Sequence, residues 1–131
     1  MIFWCEGNIM AGTFKILVVE DERPMARALE LKLTNSGFTV SLASDGEEAI
    51  NKIEHEKFNV ILLDLILPKV DGFVVLEALK KKGIKIPVIV TSNLGQDEDK
   101  ARAKELGAQG YFVKSNTSIS QLVEEVKKVV V

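Results

Sequence analysis

The sequence predicts an α/β protein of the (βα)5 kind, a doubly wound parallel sheet with helices on both faces, and three observations carry that expectation. Short β-branched runs recur at 15–19, 38–43, 59–63, 86–90 and 110–113. The first, third and fourth are almost continuously apolar, as strands buried on both faces tend to be. Three of the runs also stop at a charge: Lys15-Ile-Leu-Val-Val19 at Glu20-Asp21, Asn59-Val-Ile-Leu-Leu63 at Asp64, and Tyr111-Phe-Val113 at Lys114. In an open parallel sheet such strand ends converge in the crevice beyond the carboxyl edge, where ligands bind.

Each element has its own local signal. After the first strand, Pro24 suits the first turn of a helix, and Gly37 follows that helix as a C′ residue does. The second run, 38–43, leads to Asp45 with Glu48, which resembles a capping box opening helix two. Beyond the third run, Asp71 is placed to cap helix three, and Gly83 to end it. The fourth run, 86–90, is followed by the weakest element. Between Asp97 and Leu106 the apolar surface is little more than Ala101, Ala103 and Leu106, before Gly107 ends the segment. The last helix is the clearest. Ile119, Leu122, Val123, Val126 and Val130 fall on one stripe behind a Ser118-x-x-Gln121 capping box.

The whole-chain numbers bound the rest. With 131 residues the chain is one domain, since roughly 100 to 200 residues make one. A hydrophobic fraction of 47% and a charged fraction of 27% exclude disordered and fibrous classes. Seventeen Lys and Arg against nineteen Asp and Glu give a net charge of −2, so no global basic field exists to hold nucleic acid, and direct DNA binding is not expected. Cys5 is the single cysteine, which excludes an internal disulfide or cysteine-cluster zinc site and fits a reducing, cytoplasmic setting. No apolar stretch approaches the roughly 18 residues of a membrane span. Residues 1–13 read as an extension before a domain spanning 14–131, with Met10 a candidate start; the sharper alternative is a docked strand or dimer contact through Ile2, Phe3 and Trp4.

The chemistry at the strand ends is specific. Glu20, Asp21 and Asp64 gathered in one crevice would repel by roughly 4 kcal/mol per pair at about 4 Å and an effective dielectric near 20, which invites a divalent cation. Mg²⁺ suits such a site, because it accepts one or two carboxylates with water and a phosphate oxygen. Three carboxylates balanced by Lys114 and one such ion leave the pocket neutral and able to take a further negative charge.

Val18-Val-Glu-Asp21, Leu62-Leu-Asp64 with Leu67-Pro-Lys-Val-Asp-Gly72, Val88-Ile-Val-Thr-Ser92 and Gly107-Ala-Gln-Gly-Tyr-Phe-Val-Lys114 occur in this order and spacing. Together they make residues 14–131 resemble a response-regulator receiver domain of two-component signalling, the CheY-like family. The resemblance implies a flavodoxin-like sheet in the order 2-1-3-4-5, a signalling switch rather than a conventional enzyme, and phosphorylation at Asp64 by a phosphohistidine with Mg²⁺. It implies that Asp21, Asp64 and the Ile66 backbone carbonyl ligate the metal, with Glu20 acting through water. Lys114 and Thr91 are the implied catalytic groups at the phosphoryl oxygens. Thr91 and Tyr111 are the implied switch pair, coupling the site to the face of helix four, strand five and helix five. Ser92, Ile66 and Asn93 are implied to govern access to the phosphate and its lifetime; Ile66, unable to hydrogen-bond a water, leads us to expect slow self-dephosphorylation. The implied partners are a histidine kinase or histidine phosphotransfer protein and a downstream target, with the chain monomeric or dimerising on phosphorylation.

The chain departs from the pattern at one place. The family usually has Lys-Pro with a cis bond, but Ser115 follows Lys114. A cis bond before a non-proline costs about 2.5 to 4 kcal/mol, so a trans bond is expected here. The departure keeps a second reading open, a receiver-like interaction module that no longer takes phosphate. A haloacid-dehalogenase phosphatase fails because Ile66 stands where a second acid is needed, and a nucleotide-binding domain fails because Glu20-Asp-Glu-Arg23 has no glycine-rich loop. Thr91 and Ser92 as turn residues, and Tyr111 as a plain core aromatic, remain competing readings. His55 reads as a surface residue.

Overall fold

A computed structural model describes residues 14–130; the expectations placed on residues 1–13, including Met10, Ile2, Phe3 and Trp4, lie outside the described residues. The elements alternate as β1 (Lys15–Val19), α1 (Arg23–Asn35), β2 (Thr39–Ala43), α2 (Gly46–His55), β3 (Val60–Leu63), α3 (Gly72–Lys81), β4 (Val88–Ser92), α4 (Asp97–Glu105), β5 (Gly110–Val113), a 3₁₀ turn (Lys114–Asn116) and α5 (Ile119–Val130). The five strands form one sheet in the order β2-β1-β3-β4-β5, every pair parallel.

The central strands are buried on both faces, and their side chains divide by parity. Ile16, Val18, Val60, Leu62 and Ile89 pack with Leu29 and Leu33 of α1 and with Leu122, Val123 and Val126 of α5. Leu17, Val19, Ile61, Leu63, Val88 and Val90 pack on the other face with Ala49 and Ile53 of α2, Val75, Leu76 and Leu79 of α3, and Ala103 of α4. The edge strands β2 and β5 are only half-buried.

The helix ends follow the sequence signals. Pro24 lies in the first turn of α1. Asp45 Oδ1 accepts from Glu48 N at 2.7 Å, while Glu48 Oε1 reaches back to Ser44 N at 2.8 Å. Asp71 Oδ1 accepts from Val74 N at 3.0 Å. Ser118 and Gln121 form the reciprocal pair, with Ser118 N donating to Gln121 Oε1 at 2.7 Å and Gln121 N to Ser118 Oγ at 3.1 Å. Gly37, Gly83 and Gly107 adopt φ of +98°, +69° and +103°, a conformation that costs glycine no Cβ clash.

β2 and β3 each begin one residue later than expected, and one strand differs by more. β4 spans 88–92 rather than 86–90, because Pro87 cannot donate to a ladder, although its carbonyl still accepts from Ile61 N at 3.0 Å. Thr91 and Ser92 are therefore buried strand residues rather than turn residues. The Lys114–Ser115 bond is trans, as expected, since the described residues contain no cis peptide.

Candidate functional site

Register brings the candidate residues to one edge of the sheet. Val19 pairs with Leu63 and Leu63 with Val90, so Glu20, Asp64 and Thr91 occupy the next row across β1, β3 and β4. Ser92 pairs with Val113 on β5, which places Lys114 just beyond. Glu20, Asp64, Thr91 and Lys114 share the parity of Ile16, Val18, Leu62, Ile89 and Phe112, and so rise toward α1 and α5, whereas Ser92 has the opposite parity.

The backbone at the strand ends is fixed. Glu20 N donates to Ala43 O at 3.0 Å, and Asp64 N to Val19 O at 3.0 Å. The Asp64 carboxylate is held from below by Ile66 N, 3.1 Å from Oδ1, leaving Oδ2 to Lys114 Nζ at 2.9 Å. Behind it, Gly72 closes on the strand end: its N donates to Leu65 O at 2.8 Å, and a Cβ there would stand 2.4 Å from Asp64 O. Between them Lys69 has φ +66°, and Val70 N bonds Pro68 O at 2.8 Å across it, a tight γ-turn conformation.

Glu20, Asp21 and Asp64 each offer a carboxylate oxygen within 4.8 Å of the others, Glu20 and Asp64 buried and Asp21 exposed. At that separation the two buried charges repel by about 3 kcal/mol at an effective dielectric near 20. Lys114 offsets this, with Nζ 2.8 Å from Glu20 Oε1 and 3.1 Å from Glu22 Oε1. The Glu20 contact is a close ion pair poorly aligned for a hydrogen bond, so this buried oxygen keeps acceptor capacity among the described residues. A hard-oxygen set with a buried, under-used carboxylate fits a divalent cation such as Mg²⁺.

The titration behaviour follows from burial. Desolvation pushes the Glu20 carboxyl up from its usual 4.5, with the Asp64 charge adding, against the downward pull of Lys114 and the Glu22 N–H. Burial would lower the Lys114 ammonium, but its close contacts with the Glu20 and Asp64 carboxylates and their charges outweigh that and hold it above its usual 10.5. The lysine is therefore charged at any physiological pH.

Thr91 and Ser92 are both buried, and Ser92 Oγ accepts from Leu94 N at 3.2 Å. Asn93, immediately beyond, is exposed. Ile66 is 53% exposed at the rim of the crevice. The Tyr111 hydroxyl donates to Leu94 O, and its ring packs against the α2–α4 core. His55 is exposed, with Nδ1 2.8 Å from Asn51 O, away from the site. Sequence reasoning missed Glu22, which reaches Lys114 from the start of α1 across 92 positions.

A family profile for the response regulator receiver domain matches residues 16–127. The chain belongs to the response regulator receiver family. This places it among the signalling domains of two-component systems. The receiver is 42% identical over 100 residues to the Bacillus subtilis (strain 168) alkaline phosphatase synthesis transcriptional regulatory protein PhoP, covering 76% of this chain and 42% of that one. It is 37% identical over 121 residues to the gliding motility regulatory protein of Myxococcus xanthus, covering 90% of this chain and 15% of that one. The chain thus spans less than half the length of these relatives. Among solved structures, the receiver domain of Francisella response regulator 1452 matches with a TM-score of 0.85 at 31% identity, covering 90% of this chain and 97% of that one. The BeF3-activated DrrB receiver domain matches with a TM-score of 0.79 at 29% identity, covering 89% and 97%.

Proposed function

We propose that this receiver is a phospho-accepting switch in which Asp64 takes a phosphoryl group from a phosphohistidine. The observation that carries this reading is the meeting of Asp64 with Glu20, Asp21 and Lys114, carboxylate oxygens within 4.8 Å and an ammonium 2.9 Å from Asp64 Oδ2. An Asp64 carboxylate oxygen attacks phosphorus, a P–O bond forms as the P–N bond breaks, and the imidazole leaves with the electron pair. Lys114 neutralises charge on the phosphoryl oxygens, and the Thr91 hydroxyl donates to one of them; positioning and electrostatics supply most of such catalysis. Asp21, Asp64 and the Ile66 carbonyl would hold Mg²⁺, with Glu20 acting through water. When bound, Mg²⁺ neutralises the carboxylates and the developing negative charge.

The lysine also bears on the alternative, a module that takes no phosphate. That reading drew on the missing proline, yet Lys114 faces Asp64 through a trans bond. The donor is proposed to be a histidine kinase or phosphotransfer protein, and the output to run through α4, β5 and α5 as Thr91 and Tyr111 move together. Since relatives such as PhoP are named transcriptional regulators, a DNA-directed output would belong to a longer protein, not to the acidic receiver.

The test is a backbone-amide NMR titration with Mg²⁺ and then beryllofluoride, comparing the chain with its Asp64→Asn variant. Shifts that require both Mg²⁺ and Asp64, and that extend from Thr91 to Tyr111 and α5, are expected. A folded protein that ignores beryllofluoride would sink the proposal.

A further inference from the structure

Glu22 has no part in the chemistry just described, yet its surroundings give it one. It occupies the N-cap of α1, with φ −81° and ψ 108°, where a side chain ordinarily accepts from the first turn, and it makes no such bond. Instead Glu22 Oε1 accepts from Lys114 Nζ at 3.1 Å, while its own N–H donates to Glu20 Oε2 at 3.1 Å. Lys114 Nζ also lies 2.9 Å from Asp64 Oδ2 and 2.8 Å from Glu20 Oε1. An ammonium has three protons, and here three carboxylates surround it. Two of them are buried, and the Glu22 side chain is 62% exposed.

The backbone does little to aim this lysine. Its 3₁₀ turn ends in a long bond, Thr117 N to Lys114 O at 3.4 Å, and Ser115 has no ring to fix its φ. The lysine stem is flexible. The strand and the packing of the stem bring Nζ into the crevice, and the carboxylates around it fix where it rests there.

We propose that Glu22 is a positioning residue for Lys114, an exposed third tether that holds the ammonium over Asp64 and, when a phosphoryl group arrives, releases the Lys114 N–H it accepts so that this N–H can donate to a phosphoryl oxygen instead. Glu22 is the partner that can yield, because an exposed carboxylate released to water loses little. Glu20 or Asp64, released, would be left buried and charged. The inference rests on Asp64 being the phospho-acceptor. Charge alone predicts the opposite effect: a carboxylate beside the docking place of an anionic phosphodonor repels it, so removing Glu22 would speed the reaction.

The experiment compares the chain with Glu22→Ala and Glu22→Gln, measuring the rate of phosphorylation by acetyl phosphate with Mg²⁺, the Mg²⁺ affinity, and the ¹⁵Nζ ammonium signal of Lys114. Glu22→Ala is expected to slow phosphorylation about tenfold, well inside the hundredfold that a 1 Å misplacement can cost. Mg²⁺ affinity stays within about twofold, since the removed charge is exposed and screened. The Lys114 signal broadens in Glu22→Ala. Glu22→Gln, which keeps an acceptor oxygen, recovers most of the rate and the signal. Unchanged or faster phosphorylation in Glu22→Ala overturns the proposal. A wild-type chain that takes no phosphoryl group, yet whose Lys114 signal depends on Glu22, overturns the acceptor reading and supports the tether.

Discussion

Gly72 shows how closely the site depends on single atoms. A Cβ at this position would lie 2.4 Å from the Asp64 carbonyl oxygen and 2.6 Å from Leu65 Cα, both backbone atoms that no side-chain rotation can clear. Gly72→Ala must therefore push the end of β3 away from α3. We expect a loss of about 2 kcal/mol, the ordinary cost of overpacking, measured by urea unfolding, together with a weakened beryllofluoride response; unchanged stability would mean the loop gives way freely. Ile66 is exposed and meets the same residue at its carboxylate rather than its backbone. Its backbone N–H holds Asp64 Oδ1, but its side chain has nothing with which to orient a water. If Asp64 takes a phosphoryl group as proposed, Ile66→Asn is expected to speed its decay several-fold, followed by the loss of hydroxylamine-labile phosphate with time. An unchanged decay rate would remove Ile66 from the control of lifetime.

Among the helices, α4 is set apart by how little it buries. Ala103 is its only buried residue, and its hold on α3 runs through Arg102, whose guanidinium lies 4.1 Å from the centre of the Phe73 ring and 3.5 Å from Glu77 Oε2, and through Lys80 Nζ on Glu105 O at 3.1 Å. Exposed ion pairs and one cation–π contact are weak ties. Amides of α4 are expected to exchange faster than those of α3 and α5, and faster still in Arg102→Ala, as read by hydrogen exchange. Equal protection across the three helices would show α4 to be as firmly docked as the rest. The weakness of α4 was legible in the sequence, and so were the caps at Asp45, Asp71 and Ser118, because those signals are local. Strand β4 was misplaced by two residues for a physical reason: Ile86 extends an apolar run, and the hydroxyls of Thr91 and Ser92 look like a turn until burial shows them inside the sheet. Lys69 at positive φ carried no signal, since a lysine there is held by the loop between two packed glycines, Gly46 and Gly72, rather than by its own preference. Glu22 was invisible for a different reason: its partner is 92 residues away, and only the β1–β3–β4–β5 order brings the two ends of the chain together.

At the scale of the molecule, the sheet order explains why one carboxylate can be felt on a distant face. The crossover puts β1 beside β3 and β4 beside β5, so the Asp64 charge lies across the strand ends from Tyr111, whose hydroxyl is tied to Leu94 O before α4. Burial raises the Tyr111 hydroxyl above its usual 10.0, the charges of Asp99 and then Asp64 raise it further, and the Ser92 hydroxyl pulls it back. A raised acid holds its proton more tightly in the folded chain. Its contribution to stability is full below pH 10 and is lost as pH rises through the folded value. The chain contains a single tyrosine, so the tyrosinate absorbance band reports Tyr111 alone. In metal-free buffer its midpoint is expected above 10, and Asp64→Asn and Asp99→Asn should each move it down toward the free-tyrosine value. Because Asp99 belongs to α4 and Asp64 to the crevice at the strand ends, a shift from both would mean that Tyr111 senses the charge of the crevice and the placement of α4 at once. A midpoint indifferent to Asp64→Asn would mean that any coupling between them needs movement of Thr91 rather than charge alone.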